Sequence, residues 1–445
     1  MSTAIQDTRY SDPAVNGLWS SWNGLVKHRY ERYLVPGTEE EIVSAVRGAS
    51  RVRAFGNRQS SADIGAGTET LLDMTGYNSV VAEDRDAMEL TVESGMRLST
   101  LIRELESRGW CLPCLPDIDT VTVGGALATG THGTAGDGHI LAEYMVACRI
   151  VTADGSVRSY REDDEEMMAA LRCSLGLLGV FSTVTFRAHP LYYLRVVEEP
   201  IRDEVWLRSY RGWLDEHDFV RILWLPHTGY GQVILGDKVD GNTPVRERSA
   251  PRYHRHRREV SKLLYRVAGR IPRFTVTANR LLRRLFFSSR TVTKGTLYGA
   301  TVTKSRASTL ELAEWSVALD RFDELFAELK SQLDSPENGA WAHIPMDVRF
   351  LRADETWLSQ AWQRDTVTVG CVTRNPQRAD EYEAFDLVEQ IFLRYDGRPH
   401  WAKRFRAGWN ELSRVWPRLN DFVRLRRRVD PGGRFLNGYL RHIFE

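Results

Sequence analysis

The spacing of apolar residues alternates between helical and strand periods through the first part of the chain. Ile42, Val43 and Val46 follow a capping box opened by Thr38, which predicts a helix that ends near Gly48. Strand patterns occur at 51–55, 71–74, 89–92, 144–151, 157–160 and 176–186, and helix patterns at 98–109 and 165–172. Strands that alternate with helices predict an α+β or α/β domain over residues 1–190.

The pattern changes after residue 190, where strand-forming and aromatic residues dominate as far as Asp237. Further along, strands are predicted at 295–303, 340–351 and 365–372, and helices at 310–333, 381–394 and 419–428. An alternating first region followed by a strand-rich middle predicts more than one domain.

Residues 246–273 are strongly basic, and residues 281–287 add the apolar sequence LLRRLFF. The simplest interpretation is a solvated helical excursion whose arginines face water. Because arginines alternate with leucine, tyrosine and phenylalanine, an amphipathic segment at a membrane surface is a second interpretation. A nucleic-acid patch is the third, although no base-reading module matches the sequence.

Composition narrows these alternatives. The 445 residues carry a formal net charge of +1, so no global attraction to nucleic acid or anionic membranes is expected, and any such affinity must be local. The N-terminal residues lack the basic and apolar regions of a signal peptide, and no apolar run is long enough to span a membrane, which predicts a cytoplasmic protein. Cys111 and Cys114 form a CxxC pair among prolines, and we interpret them as two buried thiols.

The stretch Val121–Thr134 concentrates glycines and threonines around one histidine. Gly124, Gly125 and Gly130 permit close backbone approach, and threonine hydroxyls can bind phosphate oxygens or the edge of a flat ring. A plain turn between strands explains the stretch equally well. No GxGxxG follows a strand, and no Walker loop, HExxH or GxSxG occurs, so neither a Rossmann nucleotide site nor a dedicated metal site is expected.

Three separated segments together resemble one family. The sequence RAFGNRQS at Arg53–Ser60 looks like its first flavin loop, and VGGALATGTHGT at Val123–Thr134 is similar to its second. The sequences PHWAK at Pro399–Lys403 and DPGGRFLN at Asp430–Asn437 look like its C-terminal signature. On these motifs the chain resembles the FAD-linked sugar-lactone and alditol oxidases, which have the vanillyl-alcohol-oxidase-type fold. The resemblance covers most of the chain and is weakest across residues 240–292.

The resemblance implies an α+β fold with a two-subdomain, PCMH-type FAD-binding domain over residues 1–190. A cap domain with a large antiparallel sheet would cover 191–405, and a C-terminal segment, 406–445, would return to the FAD domain. FAD is the implied cofactor, and free N–H groups in residues 56–60 can hold its pyrophosphate without a Rossmann helix. The implied cofactor-binding residues are Arg53, Gly56, Asn57, Arg58, Gln59, Ser60, Pro116, Thr122, Val123, Gly124, Gly125, Ala128, Thr129, Gly130, His132, Gly133, Thr134, Gly179, Val180 and Lys403.

Gln59 occupies the position at which many relatives carry a histidine that is bonded covalently to the flavin. An amide side chain cannot form that bond, so the resemblance implies a dissociable FAD. A thioether to Cys111 or Cys114 is the alternative, but neither cysteine lies where relatives with two covalent bonds place theirs.

Four residues are implied to act in the reaction. Asp347 and Arg349 match a glutamate and an arginine that approach the polyol in the alditol oxidases, and their i, i+2 spacing puts both on one face of a strand. The alternative for this pair is an ordinary ion pair on a strand surface. Lys403 matches a lysine that stabilises charge on the reduced flavin, and His400 is implied to position the ring or the substrate. Aspartate shortens the reach by one methylene, and Val372 replaces an expected threonine.

The resulting prediction is an FAD-dependent oxidase or dehydrogenase that oxidises a carbinol carbon of a sugar-, aldonolactone- or polyol-like molecule by hydride transfer to flavin N5. Dioxygen is the expected electron acceptor, and another acceptor is the alternative. A second prediction is a dehydrogenase or tailoring oxidase for a larger natural-product or lipid-linked substrate, peripheral to a membrane that residues 246–287 would contact. A third is a non-catalytic binding protein that uses the same basic segment.

Overall fold

A computed structural model describes residues 17–67, 69–134, 138–241, 251–301, 311–335, 339–342, 345–373 and 383–445, with side chains except at 251–258, 262, 372 and 373. Parts of four predicted elements, residues 302–303, 310, 343–344 and 381–382, lie outside these ranges, as do residues 246–250 of the basic segment. Among the described residues no helix is both long and apolar enough to cross a membrane.

The strands of the described ranges are β1 (Leu18–Ser20), β2 (Lys27–Arg29), β3 (Arg32–Leu34), β4 (Val52–Phe55), β5 (Thr70–Asp73), β6 (Val80–Asp84), β7 (Glu89–Glu93), β8 (Trp110–Cys111), β9 (Met145–Val151), β10 (Val157–Arg161), β11 (Val180–Arg187), β12 (His189–Pro190), β13 (Tyr193–Arg202), β14 (Phe219–Leu225), β15 (Tyr230–Val239), β16 (Thr291–Thr296), β17 (Glu311–Ala318), β18 (Met346–Leu351), β19 (Thr366–Thr373) and β20 (Arg398–Pro399). The α-helices are α1 (Glu39–Arg47), α2 (Leu98–Ser107), α3 (Val123–Ala128), α4 (Glu165–Leu171), α5 (Asp203–Glu216), α6 (Pro251–Ala268), α7 (Phe274–Phe286), α8 (Leu297–Thr301), α9 (Phe322–Asp334), α10 (Glu383–Arg394), α11 (Trp409–Val415), α12 (Leu419–Val429) and α13 (Gly438–Phe444).

Two main sheets form the first region of the chain. Strands β3, β5 and β4 make a parallel sheet, and β10, β9, β11, β7 and β6 make, in this order, an antiparallel sheet. Helix α1 begins as predicted, because the Thr38 side chain accepts a hydrogen bond from the N–H of Glu41. Strands β9 and β10 form the predicted hairpin, in which Val151 pairs with Val157. This mixture of sheets and helices confirms the α+β class.

The second region is built on one antiparallel sheet with the strand order β16-β13-β15-β14-β18-β19-β17-β20. One face of its centre is apolar and packs on helices, as where the rings of Trp224 and Phe326 lie 4.9 Å apart. The other face carries charged side chains and lies against the first region, where Oγ1 of Thr134 donates to the carbonyl oxygen of Val220 at 2.7 Å. The predicted large antiparallel sheet is therefore present.

The C-terminal segment packs back onto the first region of the chain. The buried guanidinium of Arg53 donates to the carbonyl oxygens of Phe435, Ile64 and Leu175 at 2.7, 2.6 and 2.9 Å. The side-chain amide of Asn437 donates to two carbonyl oxygens of the first region at 2.8 Å each. These bonds fix the end of the chain beside the strands on which the first flavin loop is predicted.

The helix predicted over residues 310–333 is wrong in its first half, where the described residues form strand β17. Ala313 and Val317 have the i, i+4 spacing of a helix face, but β17 is paired on both edges, with β19 and β20. Pairing within the sheet overrides the local pattern. The strand predicted from residue 295 lies instead at Thr291–Thr296 and is followed by the short helix Leu297–Thr301.

Candidate active site

The two predicted flavin segments touch each other. Gly56, which follows β4, lies against Thr122: a Cβ at position 56 would come within 2.7 Å of Cβ and Cγ2 of Thr122, and closer still to its hydroxyl. The side-chain amide of Asn57 donates to the carbonyl oxygen of Thr120 at 2.8 Å. Gly125 faces the same threonine, since its Cβ position lies 3.1 Å from the Thr122 hydroxyl. Glycine at position 56 therefore lets the first segment close directly onto the second.

The PHWAK part of the C-terminal signature contacts the first flavin segment. The N–H of Ser61 donates to the carbonyl oxygen of Ala402 at 2.8 Å, and Oγ of Ser60 donates to the same oxygen at 3.2 Å. Lys403 comes next in the chain, and its N–H donates to the carbonyl oxygen of His400 at 2.9 Å. The hydroxyl of Ser61 is buried and has no hydrogen-bond partner among the described residues. A buried, unpaired hydroxyl beside partly exposed glycine-rich backbone fits a polar cofactor such as FAD.

The stretch 121–134 is partly helical and is not a continuous loop. Helix α3 covers Val123–Ala128, and Thr122 is its N-cap residue. Gly130 ends the helical part in the left-handed region, with a φ of 64° that favours glycine. Gly125 is exposed on the helix. Gly124 packs against Ser94, where a Cβ would lie 3.0 Å from the Ser94 Cβ, so glycine is needed there for close packing.

The predicted cofactor residues divide by exposure into two groups. Partly or fully exposed are Gly56, Asn57, Arg58, Gln59, Ser60, Gly124, Gly125, Ala128, Thr129 and Lys403. Buried are Arg53, Pro116, Thr122, Val123, Gly130, His132, Gly133, Thr134, Gly179 and Val180. The exposed group, which consists of the two segments and the lysine, is available for contact with a cofactor. Arg53, in the buried group, donates its hydrogen bonds to carbonyl oxygens of the protein.

Asp347 and Arg349 lie in a buried network of four charges, which we call the charge quartet. Arg221 donates from Nη1 and Nη2 to the two oxygens of Asp117 at 2.8 and 2.7 Å, and from Nε and Nη2 to those of Asp347 at 2.8 and 2.7 Å. Arg349 donates from Nη2 to Asp117 at 2.7 Å, and from Nε and Nη2 to Oδ2 of Asp347 at 2.9 and 2.5 Å. Each carboxylate is shared by both guanidinium groups, and Nη1 of Arg349 takes no part in these bonds.

Burial rules out a surface ion pair for Asp347 and Arg349, whose side chains are 18% and 11% exposed. Burial alone would raise the pKa of Asp347, but the neighbouring arginines lower it. Burial also opposes the charge of Arg349, yet Asp117 and Asp347 raise its pKa. Asp117 and Arg221 were not predicted from the sequence. The available signal was a lone arginine in the otherwise apolar strand FVRILWL.

The sheet face that carries Asp347 and Arg349 has further polar residues on the two neighbouring strands, β19 and β17. Asp347 pairs with Gly370, and Gly370 pairs with Glu314 on the next strand. Two strand spacings separate the backbones of these two acidic residues by roughly 10 Å, and Gly370 contributes no side chain between them. One row further, Arg349 pairs with Thr368, whose buried hydroxyl has no hydrogen-bond partner among the described residues. The strand that carries Val372 therefore places a buried threonine hydroxyl opposite Arg349.

Three residues from distant segments meet beside this row: His132, Glu314 and His400. Nε2 of His132 lies 2.5 Å from Oε1 of Glu314, and one ligand atom from each of the three residues lies within 4.8 Å of the others. The N–H of Ala402 donates to Nδ1 of His400 at 3.0 Å, so in the neutral ring Nε2 carries the proton. Burial, together with the charges of Lys403 and His132, lowers the pKa of His400 to about 3 despite Glu314. A protonated Nε2 cannot bind a metal ion, so the cluster suits hydrogen bonding better than metal binding.

The cysteines of the CxxC pair are buried and form no disulfide. Sγ of Cys114 accepts a hydrogen bond from the N–H of Gly133 at 3.1 Å. Burial raises the pKa of Cys111 to about 11, which keeps it in the unreactive thiol form. The interpretation of these residues as two buried thiols is confirmed.

Known proteins match both regions of the chain. A family model for D-arabinono-1,4-lactone oxidase matches residues 184–443, and a model for an FAD binding domain matches residues 30–161. L-Gulonolactone oxidase of Mus musculus is 28% identical over 430 residues, which cover 96% of this chain and 97% of that protein. L-Gulono-1,4-lactone dehydrogenase of Mycobacterium tuberculosis is 30% identical over 437 residues, which cover 96% and 99%.

Among solved structures, a solvent-stable cholesterol oxidase superposes with a TM-score of 0.79 at 17% sequence identity, covering 96% of this chain and 97% of that one. At this identity the likeness shows the fold alone. Together with the match to the FAD binding domain, it confirms the PCMH-type fold expected from the motifs.

Proposed function

The chain belongs to the D-arabinono-1,4-lactone oxidase family, and on this basis we propose that it is an FAD-dependent enzyme that oxidises a carbinol carbon of a sugar-like lactone or polyol. The family and the cofactor inferred from the three motifs are confirmed by these matches. A purely non-catalytic role is set aside.

The observation that carries the proposal is the row of paired residues Asp347, Gly370 and Glu314, in which a glycine lies between two acidic residues on neighbouring strands. Asp347 and Arg349 lie on the strand to one side of Gly370, and Glu314 lies on the strand to the other side. The turn that carries Lys403 lies beside Glu314, where the N–H of His400 donates to the Glu314 carbonyl oxygen at 2.9 Å. A gap of roughly 10 Å between backbone positions suits a small polyhydroxy molecule better than a bulky ring system.

The cofactor would lie along the exposed backbone of residues 56–60 and 124–125, with Ser61 and Lys403 at one end. When bound, FAD would supply the acceptor for the hydride that leaves the carbinol carbon, and C–OH becomes C=O as the hydroxyl proton is released to water. Lys403 would supply positive charge at the site where charge develops. These residues hold and orient the reactants, and the charge quartet keeps Arg349 fixed beside them.

The roles at the substrate follow from the hydrogen-bonding capacity of each side chain. Nη1 of Arg349 and the hydroxyl of Thr368 are donors placed on neighbouring strands of the same face. Asp347 is held ionised by Arg221 and Arg349, so it accepts hydrogen bonds and does not act as a general base. His400, neutral and protonated on Nε2, is a donor as well. The site is therefore rich in donors for the oxygens of a lactone or polyol.

The test is the visible spectrum of the purified protein, followed by anaerobic addition of a panel of aldonolactones and alditols. We expect a flavin spectrum that bleaches with at least one member of the panel. Oxygen consumption with that substrate identifies dioxygen as the acceptor, whereas turnover only with an artificial dye identifies a dehydrogenase. A flavin-loaded protein that no panel member bleaches contradicts the proposed substrate class.

Acid precipitation of the same sample examines the role of Gln59. With no histidine at this position and the CxxC thiols buried, we propose a dissociable FAD, so the pellet should be colourless and the supernatant yellow. Yellow colour that stays with the pellet contradicts this part of the proposal and leaves the substrate class untouched.

A second candidate property is contact with an anionic membrane through the α6–α7 hairpin. Residues 260–290 contain no acidic side chain. Leu263, Ile271 and Leu285 on this hairpin are 57%, 59% and 49% exposed, and exposed arginines lie between them. Exposed apolar side chains surrounded by cations fit the surface of an anionic bilayer. The larger or lipid-linked substrate remains an alternative that depends on such contact.

Flotation with lipid vesicles tests whether the α6–α7 hairpin binds an anionic membrane. We expect the protein to float with phosphatidylserine-containing vesicles at low salt and not with pure phosphatidylcholine. The double variant Ile271→Glu/Leu285→Glu should lose flotation and keep its turnover with soluble substrate. Val81→Glu is the matched control, because Val81 lies on β6, away from the hairpin, and is 53% exposed. This variant should float like the unaltered protein. Absence of flotation by the unaltered protein removes the membrane contact.

A further inference from the structure

The face of the large sheet that carries Asp347 also carries two leucines of β14. Leu223 pairs directly with Asp347, so the two side chains lie on the same face of neighbouring strands. Leu225 lies on this face as well, because side chains alternate along a strand. The backbone of Leu223 lies two strand spacings, roughly 10 Å, from that of Gly370. An apolar surface therefore begins on the strand next to Asp347.

The α6–α7 hairpin packs on these leucines, and so it lies on the same face of the sheet as the charge quartet. Leu223 packs against an apolar cluster that Leu225 forms with residues of the hairpin. The guanidinium carbon of Arg283, on α7, lies 3.6 Å from the centroid of the Tyr230 ring, and Tyr230 pairs with Leu225. The buried members of the cluster are Leu225, Tyr265, Leu282, Phe286 and Phe287.

This apolar cluster is separate from the main core and is not fully covered. Leu223, Val260 and Leu264 pack against it but are only partly buried. Leu263, next to Leu264 in the chain, is exposed on the outside of the hairpin. The hairpin therefore carries apolar side chains toward the sheet and toward solvent. Partly exposed apolar side chains beside a polar site are the usual lining of a ligand pocket.

The charge quartet does not oppose a neutral chain beside it. Its two carboxylates and two guanidinium groups balance, and each carboxylate is bonded to both arginines. A hydrocarbon chain that lies next to the quartet neither breaks an ion pair nor leaves a charge unpaired. Its burial against the leucines of β14 removes apolar surface from water, which is favourable.

We propose that Leu223 and the α6–α7 hairpin form an apolar subsite, and that the substrate is an amphiphile with a sugar-like head and a hydrocarbon tail. The inference rests on the proposed function, because the head is oxidised at the Gly370 row while the tail lies against Leu223 and the hairpin. Such a molecule resides in a bilayer, and the exposed apolar side chains of the hairpin would meet that surface.

The test uses the unaltered holoenzyme and the panel compound that bleaches its flavin. Esters of this compound at its terminal hydroxyl, with acyl chains of about two to ten carbons, are compared below their micelle concentrations. We expect kcat/KM to rise on the order of threefold for each added methylene that is buried, until the chain passes the hairpin. Values of kcat/KM that stay constant or fall along the series overturn the proposal.

Variants locate the subsite. Leu223→Gln places an amide against the tail, so the rise in kcat/KM with chain length should be lost. Val205→Gln is the matched control, because Val205 is 47% exposed on α5 and this helix packs on the opposite face of the sheet, where Trp206 contacts Phe326. If Leu223→Gln keeps the same dependence on chain length as the control, the subsite is overturned. If Leu223→Gln does not fold, Leu264→Gln provides the same comparison from the hairpin.

A binding measurement separates this inference from the function on which it rests. Calorimetric titration of the holoenzyme compares octyl β-D-glucopyranoside with methyl β-D-glucopyranoside, and we expect the octyl compound to bind at least about tenfold more tightly. Tighter binding that Leu223→Gln abolishes, in a protein that oxidises no panel compound, supports the subsite and contradicts the proposed function. Oxidation of sugar-like compounds without any dependence on chain length supports the function and overturns the subsite.

Discussion

Arg221→Met is expected to lower the free energy of unfolding by about 3–5 kcal/mol, because it leaves an uncompensated buried charge in the quartet. Arg221 makes four hydrogen bonds to Asp117 and Asp347. Without it, two carboxylates share the single charge of Arg349, and one of them must take up a proton or remain unpaired. Chemical unfolding followed by circular dichroism measures the loss. Because Asp347 is then held from one side only, kcat/KM should fall on the order of tenfold as well.

Two controls make the result specific to the quartet. In Asp117→Asn/Arg221→Met the remaining pair, Asp347 and Arg349, is balanced again, so the double variant should be more stable than Arg221→Met alone. Arg211→Met removes an exposed arginine that pairs with Asp323 at 3.0 Å, and should change stability by no more than about 1 kcal/mol. If Arg221→Met is as stable as Arg211→Met, the quartet does not hold the sheet face together.

Features with a local signal were predictable from the sequence. The capping box at Thr38 places the start of α1, and the hairpin of β9 and β10 follows from its turn residues. The glycine-rich segments were recognisable because a close contact such as that of Gly56 with Thr122 leaves no room for a side chain and therefore requires glycine. Such constraints act on one residue or one turn, so they appear in the sequence directly.

Features that depend on strand register were not predictable. Arg221 meets Asp117 and Asp347 across 104 and 126 positions, and His132 meets Glu314 across 182. The wrong helix over residues 310–333 also concealed Glu314, because a helix would not place it in a row with Gly370 and Asp347. Spacing and resemblance predicted that Asp347 and Arg349 share one strand face at the substrate site, but their burial depends on Asp117 and Arg221, which only the assembled sheet and loop bring to them.

Gly133→Ala is expected to abolish FAD binding and turnover and to cost about 1–3 kcal/mol of stability or more. A Cβ at this position would lie 2.8 Å from the carbonyl carbon of Leu115 and closer still to its oxygen. Because those atoms belong to the backbone, no side-chain rotation relieves the overlap, and the loop must move. Gly133 lies between His132, which bonds Glu314, and Thr134, which bonds β14, so its displacement disturbs both contacts with the large sheet. Flavin content per protein and thermal unfolding measure the effect.

Gly212→Ala is the matched control, because a Cβ there meets nothing within 4 Å on the exposed face of α5. Alanine in a helix is favoured over glycine, so this variant should keep its flavin and gain up to about 1 kcal/mol. Both variants replace glycine by alanine, so any difference between them comes from the position of the residue and not from the kind of substitution. A Gly133→Ala protein with full flavin content and normal turnover would show that residues 132–134 are remote from the cofactor, and the placement of the active site between this loop and the sheet would have to be abandoned.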